Sequence, residues 1–95
     1  MTGTIERRRL TFYGTVQGVG FRWRARMAAS DLSLTGWVEN CRDGSVRMEV
    51  QGSHHAMTRM ILALKSAPYI VIESIRNESI PIIENESGFT VHNAW

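Results

Sequence analysis

The chain has 95 residues, enough for one modest hydrophobic core and too few for two. Its 43% hydrophobic and 21% charged residues are typical of a globular protein, and its net charge of +2 is only mildly basic. No apolar run approaches the roughly 20 residues that a membrane-spanning helix needs. Cys41 is the one cysteine, so no intrachain disulfide can form. We therefore expect a single domain over residues 1–95, located in the cytoplasm and without a membrane partner.

The first third of the chain predicts a strand, a glycine loop and a helix. Over residues 5–15 the side chains alternate between two faces, with Leu10 and Phe12 on one face and Thr11 on the other. This pattern indicates a strand with one buried face. Apolar side chains then recur at the helical period, at Phe21, Ala25, Ala28 and Leu32. Trp23 and Met27 form a second apolar pair beside this stripe, and Trp23 is expected to pack against the protein.

The remainder predicts a hairpin, a second helix and two more strands. Residues 35–41 and 45–51 read as strands, joined by a tight turn at Asp43-Gly44. Ser53 is expected to cap a helix that Pro68 prevents from continuing, and its buried stripe is Met57, Met60, Ile61 and Leu64. Residues 69–75 and 89–93 predict the last two strands, with a loose segment between them.

This order of elements predicts the fold class. A β-α-β-β-α-β chain buries both apolar surfaces when two helices pack on one face of an antiparallel sheet. We therefore expect an α+β protein with the ferredoxin-like split βαβ (βαββαβ) sandwich and a short extra C-terminal strand. The first strand then lies inside the sheet, so that rigid neighbours hold the glycine loop that follows it.

That loop carries the most informative motif, Val16-Gln17-Gly18-Val19-Gly20-Phe21-Arg22. Glycines let consecutive N–H groups converge on one point, and a helix start adds unpaired N–H donors with a partial positive charge. Arg22 adds a planar guanidinium that matches two phosphate oxygens. Such a loop is often only a tight turn, with its arginine solvated. If the motif has a function, these donors favour the binding of a phosphoryl group.

A second segment, residues 35–46, completes a resemblance. This segment contains Thr35-Gly36-Trp37-Val38, Asn40 and Asp43-Gly44-Ser45-Val46. The glycine-loop motif and this segment, the separation between them and the total length of the chain all resemble the acylphosphatase family. It departs from the family at Thr15, where many members have an arginine.

The resemblance implies metal-free hydrolysis of the carboxyl–phosphate bond in small acylphosphates, without a cofactor. Arg22 matches the family's phosphate-binding arginine, and Asn40 matches the asparagine that orients the attacking water. The loop whose backbone amides hold the phosphate oxygens matches Gln17, Gly18, Val19, Gly20 and Phe21. The expected partners are a small acylphosphate and inorganic phosphate, with no nucleic acid, and the protein is expected to be a monomer.

Two other functions remain as alternatives. A binding module for RNA would use exposed aromatic residues on central strands, here Phe12, Tyr13 and Trp37, although residues 45–51 lack the usual aromatic signature. A unit that serves a larger carbamoyl-transfer enzyme is disfavoured by the chain length.

The three histidines, at positions 54, 55 and 92, are expected on the surface rather than at a metal site, and residues 7–9 are expected to form a charged strand edge or face.

Overall fold

The computed structural model describes residues 4–92 of the chain. Within them, the order of elements is β1 Ile5–Thr15, α1 Phe21–Asp31, β2 Thr35–Asn40, β3 Val46–Ser53, α2 His54–Ser66, β4 Val71–Ile80 and β5 Phe89–His92. The predicted ferredoxin-like α+β order with a short extra strand is therefore confirmed. No helix in this part of the chain is long and apolar enough to cross a membrane.

Most element bounds agree with the sequence prediction, and β4 differs most. It runs to Ile80 rather than to residue 75, because β1 is long enough to pair with it from Arg7↔Ile80 to Thr15↔Val71. Polar residues in the extension are tolerated because β4 is an edge strand. At the other end of the chain, Asn93 of the predicted last strand lies outside the described residues.

The five strands form one sheet in the order β4-β1-β3-β2-β5. β1 lies between β4 and β3, as predicted, and these pairings and that of β2 with β3 are antiparallel. The extra strand β5 instead pairs parallel with β2, so the complete sheet is mixed. The chain reaches this edge, opposite β4, by crossing the sheet through residues 81–88, and β5 then runs in the same direction as β2.

Both helices cover one face of the sheet, where the core lies. Phe12 of β1 and Phe21 of α1 contact each other with ring centroids 4.9 Å apart, which fixes the first turn of α1 above the sheet. The buried stripe of α1 is Phe21, Ala25 and Ala29. The sequence predicted Ala28 where the structure has Ala29, and Ala28 is only partly buried. Met57, Met60 and Leu64 of α2 complete the core, as predicted.

The caps of α2 are also as predicted. The Ser53 side chain accepts a hydrogen bond from the Ala56 N–H at 3.1 Å, which satisfies one of the donors that a helix start leaves unpaired. The helix ends at Ser66, two residues before Pro68. Trp23 of α1 differs from its prediction: its side chain does not pack into the protein but is 61% exposed.

The open face of the sheet, opposite the helices, carries a buried ion-pair cluster. Arg7 projects there from the central strand β1, so it lies on a charged face and not on a strand edge, the two positions that the sequence suggested. Its side chain is only 1% exposed. Its guanidinium donates to Glu49 at 3.0 Å and to Glu86 at 2.7 Å. Beside it, the Gln51 amide donates from Nε2 to the Ile83 carbonyl oxygen and accepts at Oε1 from the Ile83 N–H. Residues 81–88 therefore cross over Arg7 and bury it.

The Glu86 carboxylate makes the stability of the protein depend on pH. Burial raises the pKa of Glu86, but hydrogen bonds from Arg7 and Thr35 outweigh it and hold that pKa below its ordinary value. A carboxyl whose pKa is lowered by folding adds stability above its unfolded pKa of about 4.3, and this stability is lost as the pH falls through the folded pKa.

We expect Glu86→Gln to lower the free energy of unfolding by about 1–3 kcal/mol at pH 7, because Arg7 loses a charged partner. The difference from wild type should shrink as the pH is lowered from about 5 toward 3. Urea unfolding across this pH range measures both effects. Glu84→Gln, at an exposed position of the same crossing segment, is the matched control. A Glu86→Gln penalty that stays constant with pH would contradict the assignment.

Candidate functional site

The loop between β1 and α1 depends on two glycines. Gly18 and Gly20 have φ angles of 73° and 79°, in the left-handed region that side chains disfavour by about 1–2 kcal/mol. A Cβ atom at either position would meet no other atom within 4 Å, so the backbone angle and not the available space requires glycine. Gly20 is also the N-cap of α1, and its carbonyl accepts the first helical hydrogen bond, from the Arg24 N–H at 3.0 Å. The left-handed turn thus lets the helix begin immediately beside the loop.

A pocket of about 460 Å³ opens beside this loop and the first turn of α1. Its lining residues are Val16, Gly18, Gly20, Phe21, Arg22, Trp23, Arg26, Asn40 and Val91. Five of the residues carried over from the family resemblance are therefore brought together, while Gln17 and Val19 lie outside this lining. Among residues 4–92, two arginines and no carboxylate line the pocket, so its electrostatic character suits an anion.

Arg22 is held by the last strand of the sheet. Its Nη1 donates to the His92 carbonyl oxygen at 2.8 Å, so β5 fixes the direction of the guanidinium. A guanidinium has five N–H donors, and this bond uses one of them. Arg22 is half-buried, which keeps its charge at the pocket surface with less screening than a fully solvated arginine has.

Asn40 reaches the pocket from the end of β2. Strand alternation places it on the same face as the buried Val38, toward the helices, while Glu39 projects to the open face and pairs with Arg47. The parallel register of β5, with His92 beside Glu39, brings the end of β5 next to Asn40. Arg22 and Asn40 therefore line the same pocket, although one lies on α1 and the other at the end of β2.

Gln17 connects the glycine loop to the hairpin that follows Asn40. Its Nε2 donates to the carbonyl oxygens of Cys41 at 2.7 Å and Ser45 at 2.9 Å. These bonds satisfy two backbone acceptors and hold the two segments in a fixed relation. The Gln17 side chain thus has a positioning contact that the sequence motif did not indicate.

Asp43 forms the hairpin turn. Its Oδ1 accepts hydrogen bonds from the Ser45 hydroxyl at 2.6 Å and the Ser45 N–H at 3.0 Å. The hydrogen bond from the Ser45 hydroxyl is the main reason that the pKa of the Asp43 carboxyl lies below its ordinary value. Asp43 is therefore best explained as a turn residue, as its Asp-Gly context predicted.

His92 is a residue whose contribution the sequence did not reveal. Its ring stacks on Trp37 with centroids 5.0 Å apart and an interplanar angle of 10°, and its Nδ1 lies 3.5 Å from Glu39 Oε1. Hydrogen bonding from Arg47 is the main cause of a lowered pKa at Glu39, and it keeps this carboxyl ionised beside His92. These contacts hold the end of β5 while its carbonyl binds Arg22. Only the parallel pairing of β5, which has no local sequence signal, places His92 here.

Comparison with known proteins identifies the family. The acylphosphatase family model matches residues 8–91. An acylphosphatase from Clostridium acetobutylicum is 36% identical over 88 residues, which are 92% of this chain and 97% of the relative. One from Lactobacillus gasseri is 46% identical over 80 residues, 82% of this chain and 88% of the relative.

Comparison with solved structures agrees. The crystal structure of acylphosphatase from Bacillus subtilis superposes with a TM-score of 0.83 at 30% identity, covering 94% of this chain and 99% of that one. Sequence and fold thus point to one group of hydrolases, and this chain belongs to the acylphosphatase family.

Proposed function

We propose that this protein hydrolyses the carboxyl–phosphate bond of small acyl phosphates, giving a carboxylate and inorganic phosphate. The observation that carries the proposal is the pocket in which the glycine loop, Arg22 and Asn40 come together. In this proposal, the backbone amides of residues 17–21 and the Arg22 guanidinium hold the phosphoryl group. Asn40 orients the attacking water.

The pocket suits a dianionic phosphoryl group for two physical reasons. A helix start carries N–H groups without intrahelical partners, and Gly20 places such a start beside the loop. Arg22 is anchored by His92, so little conformational entropy is lost when its remaining donors bind phosphate oxygens. Donors held in place before the reaction stabilise the charge of the transition state without reorganising.

The chemistry needs no general acid. The attacking water forms a new P–O bond while the P–O bond to the acyl oxygen breaks, and the electron pair leaves with the carboxylate. The protons of the water pass to the oxygens of the product phosphate or to solvent. The conjugate acid of such a leaving group has a pKa of about 4, so the carboxylate departs unprotonated. The protein's work is then to hold the phosphoryl group, balance its charge and align the water. We propose no metal for these tasks, since loop amides and Arg22 supply the positive charge.

Asn40 has the chemistry for the last task. A side-chain amide both accepts and donates hydrogen bonds, so it can hold a water molecule in one orientation. Its position at the end of β2, beside the end of β5 that anchors Arg22, favours a water aligned with the bound phosphoryl group. Gln17 supports this arrangement because it links the loop to the segment that follows Asn40.

The open face of the sheet supports the hydrolase over an RNA-binding module. Phe12, one of the aromatic residues that such a module would use, does not lie on this face but is fully buried in the core on the helix side. Trp37 is already stacked on His92. The arginines of this face are paired with carboxylates, as Arg9 is with Glu49 and Arg47 is with Glu39, so they offer little net charge to a phosphate backbone.

Arg22→Lys is expected to lower kcat/KM for benzoyl phosphate by about a hundredfold or more, because one ammonium cannot reproduce the two-pronged guanidinium contact. Loss of ultraviolet absorbance, followed with a chelator present, measures the rate. Arg24→Lys, on the same helix but outside the pocket lining, is the matched control and should keep the wild-type rate. Near wild-type turnover by Arg22→Lys would count against the proposal.

Asn40→Ala is expected to lower kcat by about a hundredfold while the inhibition constant of inorganic phosphate changes little, because the amide acts on water and not on the bound anion. Steady-state kinetics with phosphate as a competitive inhibitor separates the two effects. Asn77→Ala on β4, away from the pocket, serves as the control. If phosphate binding collapses in Asn40→Ala, the side chain binds the anion instead.

A further inference from the structure

The pocket beside Arg22 has more room than a phosphoryl group needs. Its volume of about 460 Å³ lies in the range of pockets that hold small organic ligands, about 300–1,000 Å³. If the loop and Arg22 hold the phosphoryl group, the remaining space is available to the acyl group of the same substrate. The residues around that space then decide which acyl groups bind.

Of the described residues that line this pocket, Trp23 has the largest side chain, and it is unusually exposed. It follows Arg22 in the first turn of α1, lines the pocket and is 61% accessible to solvent. Tryptophan is highly buried on average, because exposure of so much apolar surface to water is unfavourable. Successive residues on a helix point about 100° apart, so Trp23 and Arg22 project in different directions, yet both line this one pocket. An apolar group attached to a bound phosphoryl group could therefore cover the ring.

The pocket offers two kinds of lining for an acyl group. Val91 and Phe21 are apolar and join Trp23 in the lining, whereas Arg26, one turn after Arg22, could attract a second negative charge. Arg26 is exposed, so water and salt screen its attraction. The apolar surface of Trp23, in contrast, gains from any apolar group that removes it from water. The lining thus favours an apolar acyl group over an anionic one.

We propose that Trp23 forms the wall of an acyl-group subsite that selects acyl phosphates with an aromatic or bulky apolar acyl group. The inference rests on the proposed function, because the phosphoryl group must lie at the loop and Arg22 for the acyl group to reach Trp23. The site is continuous, since Trp23 and Arg22 line one pocket. In this arrangement the indole contacts the acyl group and takes no part in bond breaking.

The test compares two substrates in wild type and Trp23→Ala. We expect the variant to lose about tenfold more in kcat/KM for benzoyl phosphate than for acetyl phosphate, because only the benzoyl ring is large enough to cover the indole. Comparing each substrate with itself across the variants cancels the difference in their intrinsic reactivity. Equal losses for both substrates, or no loss for either, would overturn the subsite.

Two further variants sharpen the comparison. Trp23→Phe keeps an aromatic wall and should recover most of the preference for benzoyl phosphate. Met27→Ala removes an exposed apolar side chain from the next turn of the same helix flank, outside the pocket lining, and should leave both rates as in wild type. A loss of preference in Met27→Ala as large as in Trp23→Ala would show a general surface effect and overturn the proposal.

Failure of the proposed function has a different signature, since the wild type would then hydrolyse neither substrate. Calorimetric titration with phenylphosphonate and with inorganic phosphate tests the subsite without turnover. Trp23→Ala is expected to weaken phenylphosphonate binding about tenfold more than phosphate binding. If the two ligands lose affinity equally in the variant, or neither loses any, the subsite is wrong even where phosphate binds.

Discussion

The hydrogen bond from Arg22 Nη1 to the His92 carbonyl oxygen is the contact on which the arrangement of the pocket depends. It joins the first turn of α1 to a strand 70 positions later in the chain. The carbonyl is available there because β5 runs parallel to β2, with His92 beside Glu39. One short strand therefore directs the guanidinium and also lies next to Asn40. The groups proposed to bind the anion and the water are thus positioned by the same element.

The position of β5 requires the chain to cross the sheet, and the open-face cluster defines that path. Glu86 of the crossing segment binds Arg7 at 2.7 Å and Thr35 at 2.7 Å, while Gln51 binds the backbone of Ile83. A buried ion pair is a weak source of net stability, because desolvation offsets much of its attraction. A misplaced crossing, however, would remove Glu86 and leave the buried Arg7 charge with Glu49 as its one remaining carboxylate in the described cluster. We infer that the cluster specifies the route of residues 81–88, and so supports the pocket from the far side of the sheet.

Local patterns predicted β1, the start of α1, the Ser53 cap and the motif that contains Arg22, because each depends on neighbours within a few residues. Tertiary contacts decided the rest. Arg7 is buried because residues far along the chain cross over it, and β4 is long because β1 offers partners as far as Arg7. The parallel direction of β5, the contact between Arg22 and His92, and the exposure of Trp23 also depend on the assembled fold. No periodicity in the sequence encodes them.

Titration of the isotopically labelled protein with inorganic phosphate, followed by ¹H–¹⁵N NMR, tests most directly whether the glycine loop and Arg22 enclose an anion. We predict saturable shifts at the amides of Gly18, Gly20 and Phe21 and at the Arg22 side chain, which chloride at equal ionic strength does not produce. Shifts confined to the arginines of the open face, or none at the loop at saturating phosphate, would contradict the account.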